Sequence, residues 1–228
     1  MRSGRDDGKA FVDNPDDPTA CRITIGPFWY FAGKARSPGG TCMMCGFPAF
    51  NLLMASPPNW LELAGEMYQP QLQPFSCYTF SAVDLSCGHL TKILKDSIYE
   101  VCIVPVDAKL AGRIAELPDS TLELENFGSI RNFIERSLGY TILDGGNVMG
   151  VAYRSLVCSK GIEISIYVRE TFRRRGVATA LGSRLLLESL ERGLCPGCDA
   201  ANPKSSKPAL RLGYSFIESY NAFFHTRV

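Results

Sequence analysis

The hydrophobic and polar positions divide the chain into two textures. Up to about residue 97, short apolar runs alternate with turn-rich breaks. Ala10-Phe11-Val12 is followed by Asp13-Asn14-Pro15-Asp16-Asp17-Pro18, a dense run of turn formers. Ala20 to Ile25 and, past Gly26-Pro27, Phe28-Trp29-Tyr30-Phe31 have the β-branched and aromatic content of strands. Lys34 to Gly40 reads as a loop. Trp60 to Tyr68 carries apolar residues at helical spacing after Pro58-Asn59, a reasonable helix start. Cys77 to Phe80 predicts a strand, and His89 to Leu94 a short helix.

From Tyr99 the elements lengthen. Tyr99 to Val106 reads as a strand, and Ala108 to Leu117 as an amphipathic helix ending at Pro118. Ile130, Phe133, Ile134 and Leu138 mark one helical face. Tyr140 to Leu143 and Val148 to Leu156 flank Asp144-Gly145-Gly146-Asn147, a strong hairpin turn. Ile162 to Val168 predicts a strand, and Gly176 to Arg192 a long helix with Val177, Leu181, Leu185 and Leu190 aligned. A strand near Gly197 to Ala201, a helix from Ser205 to Leu212, and a closing pair of strands around Phe216 and Phe223 complete the chain. No repeat recurs at a fixed short period. The change of texture predicts two domains, 1–97 and 98–228.

Composition narrows the class. The 228 residues are 46% hydrophobic and 21% charged, as in ordinary globular proteins, and the net charge of +1 gives no footprint for a polyanion. No apolar run approaches the roughly 18 residues of a membrane span, and Met1 to Lys9 is polar, so the expectation is a cytoplasmic protein. Nine cysteines are scattered through apolar surroundings. Cys42/Cys45 and Cys195/Cys198 have the spacing of zinc ligands, yet about 150 residues separate the pairs. Core or turn cysteines without a metal are the expectation. His89 and His225 are the only histidines, and no triad can be assembled around either.

The chemistry concentrates after the strand Ile162 to Val168. The chain passes through Arg169-Glu170-Thr171-Phe172 into Arg173-Arg174-Arg175-Gly176-Val177-Ala178 and then turns helical. Unpaired N–H groups and the helix dipole make such a helix start attractive to anions. Gly176 lets the backbone approach a phosphate, Ala178 is small for the same reason, and the arginines suit bidentate contact. A solvated basic turn is the alternative.

This loop resembles the (Q/R)-x-x-G-x-(G/A) motif of the GNAT superfamily. Asn202-Pro203-Lys204-Ser205 and Leu212-Gly213-Tyr214 are similar to that superfamily's N-x-x-S…L-G-(F/Y) segment. Asp13 to Ala20, Phe31-Ala32-Gly33, Asn59-Trp60, Gly161-Ile162-Glu163-Ile164, Arg192 to Pro196 and Asp199 to Asn202 look like the zwittermicin-resistance-type, two-part branch. The resemblance implies an α+β (α/β sandwich) fold: a C-terminal domain with a mixed, splayed sheet flanked by helices, preceded by a smaller α+β domain.

It also implies acetyl-CoA as cosubstrate and a primary amine as acceptor, attacking directly in a ternary complex. Arg173, Arg174, Arg175, Gly176, Val177, Ala178 and Thr179 would cradle the pyrophosphate. Ile166, Tyr167 and Val168 would hold the pantetheine and thioester, one of their N–H groups serving as oxyanion donor. Asn202 and Ser205 would make cofactor or strand-splay contacts. Glu163, ten residues before Arg173, is the candidate general base, with a structural carboxylate as the alternative. Tyr167 and Ser165 are candidates for positioning substrate. The family's usual tyrosine before L-G-F is replaced by Pro208-Ala209-Leu210-Arg211, which leaves the thiolate without an evident acid. The acceptor is expected to be a small antibiotic or metabolite. A protein lysine or N-terminal amine, or a CoA-binding module without turnover, is the alternative. The expected state is a monomer or homodimer that contacts neither nucleic acid nor membrane.

Overall fold

A computed structural model describes residues 8–54, 57–117, 122, 124 and 127–227. The leading residues 1–7 and the helix stop expected at Pro118 lie outside the described residues.

The chain opens with β1 (Lys9–Val12), β2 (Ala20–Ile25) and β3 (Phe28–Gly33), an antiparallel meander. It continues through α1 (Pro38–Met44), β4 (Leu52–Leu53), α2 (Pro58–Tyr68), β5 (Leu72–Ser81) and α3 (Cys87–Lys95). Then come β6 (Ile103–Pro105), α4 (Ala108–Ala115), α5 (Ile130–Arg136), β7 (Gly139–Asp144), β8 (Asn147–Val157) and β9 (Gly161–Val168). The last elements are α6 (Val177–Glu191), β10 (Cys195–Ala200), α7 (Pro203–Leu212) and β11 (Ser215–His225). No described helix is long and apolar enough to cross a membrane.

The chain gathers into two compact units, one of residues 8–77 with 219–227 and the other of 78–218. The division expected at residue 97 therefore falls inside the second unit, which already begins within β5. The chain's final residues rejoin the first.

In the first unit the sheet runs β1-β2-β3-β4 and is completed by the end of β11, Phe223 and Phe224 lying opposite Leu53 and Leu52. Its core is aromatic. Trp60 is wholly buried, stacks on Phe31 at 4.6 Å and donates its indole N–H to the Gly33 carbonyl at 3.0 Å. The run Phe28 to Phe31 is thus packing for this unit.

Asp13 explains the turn-forming cluster. Its carboxylate accepts from the amides of Asn14, Thr19 and Ala20 and from the Thr19 hydroxyl, closing the loop between β1 and β2. These bonds, the Thr19 hydroxyl first, lower its pKa from 3.8 to about 2. The stabilisation is complete above the unfolded value and disappears as pH falls through the folded one. Thermal midpoints of the protein should therefore drop between pH 3.8 and about 2 more steeply than those of Asp13→Asn. Parallel curves would contradict this role.

The second unit has the order β5-β10-β9-β8-β7-β6, with only Tyr78 to Phe80 of β5 paired to β10. Alternation along β8 sends Ala152 into a core with Leu181, Leu185 and Leu186 of α6. Its neighbours Val151 and Tyr153 enter a separate core with Ala111 and Ile114 of α4 and Phe133 of α5. The mixed sheet flanked by helices is the α+β fold that the resemblance implied.

Three elements differ from the sequence expectation. The Lys34 to Gly40 loop gives way to helix at Pro38, where Ser37 Oγ accepts the Gly40 amide and offsets the weak helix propensity of two glycines. Glu100–Cys102 is a 3-10 turn, with Val101 left 89% exposed, so the strand begins only at Ile103. The expected closing pair is one strand, β11, because Ser215 to His225 contains no glycine or proline to turn it.

Both units repeat one order of elements. An antiparallel pair (β2/β3; β8/β9) leads through a loop to a helix (α1; α6). A strand then returns parallel to the pair's second member (β4; β10), and another helix follows (α2; α7). In each, the parallel pairing spans only the first residues of the longer strand: Phe28↔Leu52 and Trp29↔Leu53, against Gly161↔Cys195 to Glu163↔Gly197. The repeat is too long and too diverged to register as sequence periodicity.

Candidate active site

In the second unit, β9 and β10 separate after Glu163↔Gly197, and β10 goes on to pair with β5 at Cys198↔Phe80. Ile164 to Val168 keep β8 on one side and, among the described residues, have no strand on the other. Glu163 sits in the fork. Its Oε1 accepts the Asp199 amide at 2.9 Å, and a Cβ on Gly197 would lie 2.5 Å from its Oε2. The carboxylate thus fills the wedge between the strands. Below it, the Tyr214 hydroxyl donates to the Pro196 carbonyl at 3.2 Å. Burial, followed by the nearby Cys198 thiol and Glu163, raises the Tyr214 pKa, so this phenol is a structural group and a poor acid. Burial first, then Glu163 and Asp199, also push the Cys198 thiol up to about 12.

From Val168 the chain enters a single 3-10 turn, Glu170–Phe172. Arg173 Nε donates to the Val168 carbonyl at 3.1 Å and ties the loop to the end of the strand. Arg174 is left-handed at φ +62°, and Gly176 at φ +84°. Gly176 then starts α6 with no side chain capping its amides. A Cβ on Gly176 would meet nothing within 4 Å, so the space over the helix start is open. Alternating left-handed residues ahead of a helix turn several N–H groups toward one concavity, where the dipole adds positive potential. Arg173, Arg174 and Arg175 are exposed around it, and Arg175 lies 5.6 Å from the Phe172 ring.

In the first unit's counterpart loop the helix start is crowded and capped. A Cβ on Gly40 would come within 2.7 Å of the Ala35 carbonyl oxygen, and Ser37 already takes the Gly40 amide. Arg36 donates to Glu66 at 3.0 Å. The Gly40 amide and Arg36 are thus engaged within the protein, whereas no side chain caps the start of α6.

The other expected residues fall into distinct settings. Ile166 and Val168 pack toward α6, and Tyr167 toward α4 and α5, so the strand presents them to opposite faces. Asn202 caps α7, its Oδ1 accepting the Lys204 and Ser205 amides at 3.0 Å each, and the Ser205 hydroxyl donates to the same oxygen at 3.3 Å. In the segment Pro208-Ala209-Leu210-Arg211, which lacks the family's tyrosine, Ala209 is buried. A cavity of about 400 Å³ adjoins the loop and is lined by Arg175, Gly176, Thr179, Ile98, Tyr99 and Arg211, among others. Sequence reasoning missed Arg211 and the Ile98–Tyr99 pair. Ile98, 82% exposed, stands just ahead of the Tyr99 to Val106 run read as strand, and nothing local in the sequence marked it.

All nine cysteines are free thiols. Among the described residues no group of three or more His, Cys, Asp or Glu could hold a metal.

Comparison with known proteins agrees with this geometry. The profile of the GNAT acetyltransferase family matches residues 3–223. The N-acetyltransferase YdfB of Bacillus subtilis (strain 168) is 26% identical over 102 residues, a stretch covering 44% of this chain and 39% of that protein. The matched stretch is thus less than half of that relative's length. A GCN5-related N-acetyltransferase-like protein from Streptococcus suis 89/1591 superposes with a TM-score of 0.83 at 28% identity, over 96% of this chain and 88% of the other. A tandem GNAT protein from the clavulanic acid biosynthesis pathway shares the fold alone, with a TM-score of 0.58 at 11% identity over 98% of this chain and 84% of the other. On this evidence the chain belongs to the GNAT acetyltransferase family, and so to the acyltransferases.

Proposed function

We propose that this protein transfers the acetyl group of acetyl-CoA to a primary amine of a small molecule, by direct attack within a ternary complex. The observation that carries the reading is the open start of α6 beside the stretch of β9 that has β8 on one side and no described strand on the other. The amides of Val177, Ala178 and Thr179 hold the pyrophosphate, and Arg174 and Arg175 add charge. Arg173 fixes the loop through Val168 and contributes its remaining N–H groups. Arg211, Ile98 and Tyr99 face the nucleotide end of the same cosubstrate.

Ile166, Tyr167 and Val168 hold the pantetheine along the strand edge, and one of their N–H groups donates to the carbonyl oxygen as it gains charge. Asn202 and Ser205 support this cradle by fixing the start of α7. Glu163 is the general base: Oε1 anchors the fork on Asp199 while Oε2 takes the amine proton. Tyr167, directed to the face opposite α6, positions the acceptor. With no tyrosine in Pro208-Ala209-Leu210-Arg211 and Tyr214 spent on Pro196, solvent protonates the departing thiolate. The two-part resemblance to zwittermicin-resistance-type enzymes supports a small antibiotic or metabolite as acceptor.

The test is to incubate the protein with acetyl-CoA and a panel of small amines and lysine peptides, following free thiol. Thiol release that depends on a small amine is the expected result. Release with lysine peptides only would move the acceptor to proteins. Cosubstrate binding without any release would reduce the chain to a CoA-binding module.

A further inference from the structure

In the C-terminal half of α6, Arg184 and the cap residue Arg192 flank Glu188, and Arg154 lies near enough for the charges of Glu188 and Arg192 to act on it. Arg154, on β8, is only 5% exposed, and its Nε is buried with no hydrogen-bond partner. It forms no ion pair among the described residues. The one nearby carboxylate is already committed. Glu188 Oε1 accepts from Arg192 Nε at 3.0 Å and Nη2 at 2.6 Å. Glu188 Oε2 accepts from the Tyr140 hydroxyl at 3.4 Å and lies 3.6 Å from Arg184 Nη2. Arg184 in turn stands 5.2 Å over the Tyr140 ring.

Three guanidinium groups against one carboxylate leave two positive charges without a counterion. Arg184 and Arg192 are 44% and 50% exposed, so water screens them. Arg154 is far less exposed, and its Nε reaches neither water nor a partner. A guanidinium does not shed its proton at accessible pH, and a buried charge without partners is strongly unfavourable. Burial, and then Arg192, push the Arg154 pKa below its ordinary value. The C-terminal end of α6 favours a cation at its cap residue Arg192, but it accounts neither for Arg184 at mid-helix nor for Arg154, which belongs to the sheet.

We propose that Arg154, Arg184 and Arg192 form a second anion site, which takes a small oxyanion presenting a phosphate or carboxylate group. The planar donor fork of Arg154 matches two oxygens of such a group, and the exposed Arg184 and Arg192 supply the entrance. The site is separate from the α6 start and needs no acetyl-CoA.

Calorimetric titrations with inorganic phosphate and with acetate, at an ionic strength fixed by sodium chloride, test it on the full chain. Wild type should bind at least one of them saturably. Arg192→Ala should weaken binding about tenfold, the loss expected for one charge-assisted contact, and Arg154→Met should abolish it. Response to phosphate alone assigns a phosphate ligand, and response to acetate a carboxylate. Absence of saturable binding by wild type overturns the proposal. So does equal affinity in wild type and variants, which would locate the anion elsewhere, the α6 start included. Should Arg154→Met fail to fold, the exposed Arg192→Ala still decides.

Discussion

Gly176→Glu should lower affinity for CoA by about a hundredfold or more, equivalent to about 2.7 kcal/mol or more, while the protein stays folded. The fold survives because a Cβ at this position meets no protein atom within 4 Å. The cost to stability is the left-handed backbone at φ +84°, about 1–2 kcal/mol for a residue with a side chain, a fraction of ordinary domain stability. For the ligand that open space is the binding site. A carboxylate there occupies the approach to the α6 amides and repels the pyrophosphate. Gly176→Ala separates the two effects, since it shares the backbone cost without the charge and should bind better than Gly176→Glu. Calorimetry with CoA, alongside thermal unfolding of each variant, reads both quantities. Unchanged CoA affinity in a folded Gly176→Glu protein would show the phosphate loop to be elsewhere.

Glu163→Gln should reduce kcat by about two to four orders of magnitude, the range for loss of a general base. Glutamine keeps an acceptor for the Asp199 amide, so the fork between β9 and β10 is retained and acetyl-CoA affinity should stay near wild type. Glu163→Ala removes both functions, and the fork is then expected to rearrange and weaken acetyl-CoA binding as well. The split between these variants distinguishes proton transfer from wedge-filling. Full turnover in Glu163→Gln would leave Glu163 as a positioning residue only.

The loop was legible in the sequence because its physics is local: a strand, arginines, a glycine needed for a left-handed turn, and the start of a long apolar-striped helix all lie within a short segment. The fork was not legible. Glu163 meets Asp199, and β10 leaves β9 for β5, only because strands distant in sequence are brought side by side. The same holds for Arg211, which reaches the loop's cavity from another helix. The two-domain boundary was misplaced for a related reason. The change of texture near residue 98 marks longer elements, whereas the compact units are set by β5 and β11, each of which crosses from one unit to the other. The aromatic residues Trp29, Phe31 and Trp60 show their role only in the fold, where burial makes them core. Asn202 illustrates the reverse case. A motif residue expected at the cofactor is fully explained within its own helix as a cap, and any contact with cosubstrate is additional to that.

The central claim is that the open start of α6 and the edge of β9 beside it together hold acetyl-CoA. A crystal structure of the protein with CoA tests it most directly. The account predicts the pyrophosphate on the amides of Val177 to Thr179 and the pantetheine along Ile166 to Val168, with the thiol directed toward Glu163. CoA bound away from the Arg173 to Ala178 loop, or a β9 edge left empty beside it, would contradict the account.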